Sequence, residues 1–452
     1  MKKLPKITIG LKPIYKKIAQ GVDFFVLFQK IEQEFETCFL YESLGEQGKF
    51  SRYSIIGFAP EHIVSAKENI LSVDDNTFEV DNPYDALGHM MPAPIIAREY
   101  AGGFVGYLSY EAVNYFEPSL HVKIHDLFDQ FLFGVYMDGL IFDKLTDEIF
   151  YFYYDVSRED IVKKIITSSN AKGRKKEFSV SFIRETLDKK EHAAIVEQVK
   201  EHIKAGNTFQ CEVGFKTEFR ITGDTLQMYE KLRKVNPSPF MYYLKFGEKK
   251  TIGASPELLF SLRDGEMVSC PLAGTTRRGK TSKEDQELAR ALLNDPKERA
   301  EHTMIVDMHR NDLGKVAQFG TVKVRDLMTI KKFSHVQHIA SEVGGIMKKN
   351  ENMFSGLASN FPMSTACGTP RVETVKIIDS NEKEARGPYG GGVGHFGFNG
   401  DCTFALPLRT LYIAGSYAYT QTSSGIVYDS IAEKEYEEIR NKLAAMRKVL
   451  GV

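Results

Sequence analysis

Short runs of aromatic and β-branched residues dominate the first third of the chain, with few helical patterns between them. Glu148 to Asp155 (EIFYFYYD) is one such run, too short and too β-prone for a helix, and it reads as a buried strand. Further on the period changes. A helix is expected from about Lys190 to Ala205, stopped by Gly206 and followed by a strand from Thr208 to Phe219. In that strand Phe209, Cys211, Val213 and Phe215 alternate with Gln210, Glu212, Gly214 and Lys216, so Gln210 faces away from the apolar side and, on alternation alone, toward solvent. Cys402 to Leu408 (CTFALPL) is another mostly apolar, strand-like run, with Arg409 at its end. No tandem repeat appears, and strands mixed with long helices predict a large α+β protein. The turn-rich, charged stretch Thr167 to Glu177 divides it into regions 1–170 and 178–452.

Two helices carry the most suggestive chemistry. Glu298-Arg-Ala-Glu301 and Glu435-Tyr-Glu-Glu438 each place two carboxylates one turn apart. Asp295-Pro296 with Glu298 gives the first helix a cap and a proline start, and Ser430 with Glu433 has capping-box spacing for the second. Glu301 shares a stripe with Met304, Ile305 and Met308; Glu435 lies within the stripe of Ala432, Ile439, Leu443, Met446 and Leu450, and Glu438 at its edge. Two readings stand at this point. Glu298 and Glu435 serve the helix dipole while Glu438 is solvated, or the four acids offer oxygen donors to a hard cation such as Mg²⁺.

Composition narrows the partners. The 59 Lys and Arg nearly balance the 60 Asp and Glu, so no overall field favours nucleic acid or an anionic membrane. Cys38, Cys211, Cys270, Cys367 and Cys402 lack paired spacing and fit free thiols; the basic start MKKLPKITIG has no apolar stretch behind it, and no run approaches the length of a membrane span. A cytoplasmic protein is expected. The run Arg386 to Gly394 (RGPYGGGVG) suits either a ligand-hugging backbone or a hairpin turn, and the planar fork of Arg409 suits a carboxylate. These residues point to a Mg²⁺-dependent enzyme acting on a small carboxylate.

Read together, GNTFQ (206–210), NPSPFMYY (236–243), GASPEL (253–258), PLAGTTRRG (271–279), ERAEHTMIVDMHRND (298–312), FSHVQHIASEV (333–343), FPMSTACGTP (361–370), RGPYGGGVG (386–394) and EYEEIRNK (435–442) resemble the chorismate-utilising enzymes. The resemblance spans most of the chain. It implies a two-sheet β-sandwich flanked by helices, with regions 1–170 and 178–452 intertwined in one unit and the active site in the second. It also implies Mg²⁺ on Glu301 and Glu438, with Glu298 and Glu435 holding water or outer contacts. By the same resemblance Tyr389, Arg409 and the backbone near Gly425 hold the enolpyruvyl carboxylate, and Gly274, Thr275 and Thr365 touch substrate. Glu257 matches the general acid that protonates the departing ring hydroxyl. His338 matches a histidine of the later proton loss and pyruvate elimination, with His335 its bland neighbour.

Two positions select a branch. Water-adding members carry a lysine base where this chain has Gln210, and many para-aminating members carry a nucleophilic lysine where it has Ala273. Both absences favour ortho amination by ammonia, giving anthranilate and pyruvate on the route to tryptophan. The alternatives are an aminodeoxychorismate synthase component, an isochorismate synthase and a non-catalytic tryptophan-binding regulator. Tyr41-Glu42-Ser43 with Pro239, Phe240 and Met241 resembles the family's tryptophan feedback pocket, with Glu42 facing the ligand's amino group. The chain has no amidotransferase signature, so glutamine-derived ammonia implies a separate subunit. Departures from the family pattern fall at Glu212, Lys216, Ser364, Thr403-Phe404 and Ser423.

Overall fold

The computed structural model describes residues 4–44, 51–97, 100–168, 177–333 and 336–452. His335 and residues 169–176 of the expected connection lie outside them. Among the described residues the frame is two antiparallel sheets of twelve strands each. In the first sheet the central neighbours are Thr37–Glu42, Phe240–Phe246, Lys249–Ser255, Thr410–Ala414, Tyr417–Ile426 and Gln210–Thr222. The second runs through Leu272–Arg277, Val336–Ile346, Glu266–Cys270, Leu258–Arg263, Cys402–Ala405, Gly392–Gly397 and Gly103–Leu108. Each sheet has one seam where the early and late parts of the chain hydrogen-bond: Met241 pairs with Glu42 in one, and Gly392 with Leu108 in the other.

The apolar runs of the sequence arise because most central strands are covered on both faces. In Thr37–Glu42, Cys38 and Leu40 face outward, packed with Phe24, Leu27 and Phe28 of the helix Phe24–Glu34. Phe39 faces inward and meets Tyr136 of the other sheet edge-on, ring centroids 4.8 Å apart. Tyr242, Leu244, Tyr412 and Tyr419 complete the layer between the sheets together with Val105, Tyr107 and Leu132. Aromatic pairs of this geometry contribute about 0.5–1.5 kcal/mol each beyond their buried area.

The same two-sided burial corrects the expected exposure of Gln210. The strand is Gln210–Thr222, and Cys211, Val213 and Phe215 do pack outward against Ile195, Val196 and Val199 of the helix Lys189–Lys204. Its polar face does not reach water: it turns toward the second sheet, leaving Gln210, Glu212 and Lys216 only 6%, 7% and 3% exposed. Phe209, expected on the apolar face, precedes the strand and is 67% exposed.

Two helix starts test the capping signals, and a third shows a cap the pattern had not singled out. Asp188 and Glu191 form a reciprocal capping box for Lys189–Lys204, and the Asp295 carboxylate accepts from Lys297 N and Glu298 N to start Pro296–Val316. The expectation at Ser430 fails. Helix Ala432–Leu450 has Ile431 at its cap position without a side-chain bond; the Ser430 hydroxyl accepts from Val427 N, and Glu433 pairs with Lys189. No described helix is long and apolar enough to cross a membrane.

Candidate active site

A carboxyl held in its acid form lies at the centre of the site. Glu257 sits between the strands Lys249–Ser255 and Leu258–Arg263, 3% exposed. Its Oε1 accepts from Thr365 Oγ1 at 2.9 Å and from Leu272 N at 3.2 Å. Burial pushes its pKa up to about 8 despite these bonds, and nearby Glu212 adds to the rise. Both bonds end on Oε1, which leaves Oε2 as the oxygen able to carry and deliver a proton.

Leu272–Arg277 and Val336–Ile346 form the adjoining wall. Gly274 takes φ +85°, and a Cβ there would stand 3.0 Å from Glu298 Oε2, so a glycine lets that carboxylate close on the strand. The Thr275 amide donates to Glu298, while its hydroxyl lies 2.8 Å from His338 Nδ1. Burial, then the positive field of Arg409, keep the His338 imidazole neutral, its pKa down to about 3. Arg409 has a left-handed backbone, φ 49°, because Cys402–Ala405 ends before it and the chain must turn into Thr410–Ala414. Its guanidinium hydrogen-bonds Asn236 Oδ1 at 3.5 Å, no carboxylate pairs with it among the described residues, and burial lowers its pKa. A desolvated cation with so little compensation is a ready anion site.

The glycine-rich run forms a turn leading into Gly392–Gly397 and sets Tyr389 in the buried layer. The Tyr389 hydroxyl lies 2.9 Å from Ser423 Oγ, which donates to Glu212 Oε2 at 2.7 Å. The Ser423 proton is spent on Glu212, so Tyr389 is the donor to Ser423. Gly425 pairs with Glu212 across the strands, and a Cβ on it would collide with Gln210 Nε2 at 2.4 Å and Glu212 Oε1 at 2.6 Å. Glycine there is what admits both side chains. Burial raises the pKa of Glu212, opposed by Lys442 and by the Ser423 bond.

Glu298 adjoins this wall, and Glu301 and Glu438 lie near enough for their charges to couple with its own. Burial pushes Glu301 up to about 7, Lys297 opposing and Glu298 and Glu212 adding; it raises Glu298 and Glu435 as well, with Ser430 hydrogen-bonding to Glu435. Glu435 is buried, as its stripe position predicts, and Glu438 is exposed and bonded to Lys442 at 2.7 Å. Lys442 also donates to Ser423 O at 2.9 Å; burial works against its charge, and Glu438 and Glu212 hold it. Among the described residues no three His, Cys, Asp or Glu side chains stand close enough to enclose an ion. The donor set nonetheless suits a hard cation: it is all oxygen, and the burial that disfavours three of these carboxylates is what a divalent ion offsets. Glu212, Ser423 and Lys442 are site residues to which motif matching gave no role. The i,i+4 spacing of Glu438 and Lys442 was the available signal for one of them.

The remaining candidates form a second centre. Glu42, Ser43, Pro239, Phe240 and Met241 all line a cavity of about 290 Å³ between the sheets, at the seam of Thr37–Glu42 with Phe240–Phe246. Glu42 stands at the cavity wall already held in place. Its carboxylate is already engaged by Arg233 (2.7 and 3.0 Å) and by the Tyr229 hydroxyl (2.8 Å). Among the described residues, the buried Ser43 Oγ and Tyr100 Oη there find no hydrogen-bond partner. A larger groove of about 1130 Å³, lined by Tyr84, Met308, Phe354 and Arg371 among others, holds none of the candidate residues.

Two facing sheets carry a buried carboxyl, an arginine that no described carboxylate pairs with, and paired helix acids, and the chain belongs to a known class: residues 35–448 match the model of the chorismate binding enzymes. Within that family it is 50% identical to anthranilate synthase component 1 of Leptospira biflexa, over 99% of this chain and 98% of that one. It is 36% identical to the protein of the same name from Methanothermobacter thermautotrophicus, over 98% and 96%. The crystal structure of anthranilate synthase component I from Streptococcus pneumoniae superposes with a TM-score of 0.80 at 27% identity, covering 96% and 99%. The menaquinone-specific isochorismate synthase of Escherichia coli, 18% identical, shares the fold with a TM-score of 0.76.

Proposed function

We propose that this chain converts chorismate and ammonia to anthranilate and pyruvate, the reaction of component I of anthranilate synthase. The observation that carries the reading is the burial of both Gln210 and Glu257: a neutral amide where water-adding enzymes hold a lysine base, and a carboxyl whose pKa burial lifts to about 8. Ammonia needs no activating lysine, and the departing hydroxyl needs an acid. Arg409 binds one carboxylate of the substrate. Glu301 and Glu438 would hold Mg²⁺, with Glu298 and Glu435 behind them; the ion would supply the positive charge that anchors the ring carboxylate. Glu257 Oε2 delivers its proton to the leaving hydroxyl, and the neutral His338, oriented by Thr275, accepts a proton in the elimination that follows. Gly274, Thr275, Thr365, Tyr389 and Gly425 shape the cleft around the ring.

The region before residue 170 contributes the feedback pocket and the region from 178 the catalytic cleft. The 290 Å³ cavity takes L-tryptophan, near the lower end of ligand-pocket sizes, with Ser43 Oγ as a polar contact. A glutamine amidotransferase subunit supplies ammonia and the chain acts in the cytoplasm, a reading that its balanced charge and free thiols support. Chromatography of products from chorismate, Mg²⁺ and ammonium tests the reading. Anthranilate is expected; 4-amino-4-deoxychorismate, or isochorismate formed without ammonium, would overturn it.

A further inference from the structure

Glu212 departs from the family pattern, yet it occupies the middle of the cleft. Cross-strand pairing puts it on one face with Gly425, and Gly214 pairs with Ser423 one step along. Its Oε2 receives the Ser423 proton, and Ser423 receives that of Tyr389, which fixes the carboxylate at the end of a short hydrogen-bonded chain. Its Oε1 and Gln210 Nε2 both crowd the space that a Cβ on Gly425 would fill. A charged group this deep needs a task or a counter-charge. Lys442 supplies part of the latter, but its ammonium bonds Glu438 and Ser423 O rather than Glu212. No described side chain donates to Oε1.

We propose that Glu212 Oε1, flanked by Gln210, is the subsite that receives the ammonia nucleophile and accepts the proton it sheds. This rests on the amination reading above. Ammonia forms the C–N bond with its lone pair as the ring double bonds shift; the C–O bond to the hydroxyl breaks, and that oxygen leaves as water with the proton of Glu257. The nitrogen is then a cationic –NH₃⁺ group and passes one proton to Glu212. Glu257 has lost a proton and Glu212 has gained one, so exchange between the two acids resets the site with no net proton consumed. Gln210 leaves the position beside the carboxylate uncharged, so a small cationic or neutral nitrogen species is favoured there over a second carboxylate.

Steady-state amination with ammonium as nitrogen source tests this on the full chain. Glu212→Gln should lower kcat/KM for ammonia by about 100-fold or more, with chorismate KM changed less than about threefold, and Glu212→Asp should recover part of the loss. Ser423→Ala keeps the carboxylate but removes its donor, and should shift the acid limb of the ammonia pH profile upward. An ammonia kcat/KM within about threefold of the parent in Glu212→Gln overturns the proposal, as does a rise in chorismate KM as large as the loss toward ammonia, the mark of a merely structural role. If Glu212→Gln does not fold, an unmoved acid limb in Ser423→Ala overturns it instead. A parent protein that aminates nothing refutes the underlying reading; amination indifferent to Glu212 refutes this inference alone.

Discussion

Replacing Glu257 with glutamine separates the acid's chemical role from its place in the fold. Both hydrogen bonds to the side chain end on Oε1, from Thr365 Oγ1 and Leu272 N, so the amide oxygen of glutamine keeps both and only the transferable proton is lost. The pKa of Glu257, about 8 in the folded chain against 4.5 when exposed, also fixes the sign of a stability effect. Between those values the folded state holds a proton that the unfolded state has released, so this carboxyl makes stability fall as pH rises, by about 1.4 kcal/mol per pH unit. Across pH 5 to 8 that amounts to roughly 3–5 kcal/mol, and glutamine escapes it. Glu257→Gln should therefore lose about 10²–10⁴ in kcat while its denaturation midpoint, compared with the parent, gains ground as pH rises. Denaturant melts at pH 5.5, 7 and 8.5 alongside anthranilate production measure both. Activity above about a tenth of the parent, or a stability gap that does not widen with pH, would refute the reasoning.

Other perturbations probe the remaining parts. Because burial holds Glu301 near pKa 7, protons compete with the metal below that pH, and the Mg²⁺ concentration for half-maximal activity should rise steeply from pH 8 to pH 6; Glu301→Gln should remove the dependence along with the activity. Arg409→Met should raise the chorismate KM by about 100-fold yet stabilise the chain by about 1–3 kcal/mol in thermal melts, since the arginine is desolvated without a carboxylate partner. Ser43→Phe, filling the cavity between the sheets, should abolish inhibition by tryptophan with kcat unchanged, checked by inhibitor titration. Asp295→Ala should cost about 1 kcal/mol in denaturant unfolding by leaving the amides of Lys297 and Glu298 uncapped.

Local signals in the sequence carried well where the deciding interactions are local. The helix Lys189–Lys204 and the start at Pro296 follow from caps within three residues, and Glu435 is buried as its stripe position requires. Alternation along Gln210–Thr222 predicted the facing of its side chains but not their burial, because a second sheet covers the polar face and periodicity carries no record of it. Long-range partners were equally silent: Glu42 is held by Arg233, 191 positions away, and Ser423 lies 211 positions from Glu212. The left-handed backbone of Arg409 and the missing cap at Ser430 depend on how strands end against neighbours, which a one-dimensional pattern does not encode. Motif resemblance gathered Glu257, His338, Arg409 and the helix acids. It gave no role to Glu212 and Ser423, which stand where this chain leaves the pattern.

The central claim is ammonia-dependent ortho amination coupled to pyruvate release. Its most direct test records anthranilate fluorescence and enzymatically detected pyruvate in one reaction of the purified chain with chorismate, Mg²⁺ and ammonium. Equal amounts of the two products, dependent on ammonium and lost in Glu257→Gln, are predicted. Pyruvate without anthranilate, or an aminated product that retains its enolpyruvyl group, would contradict the account.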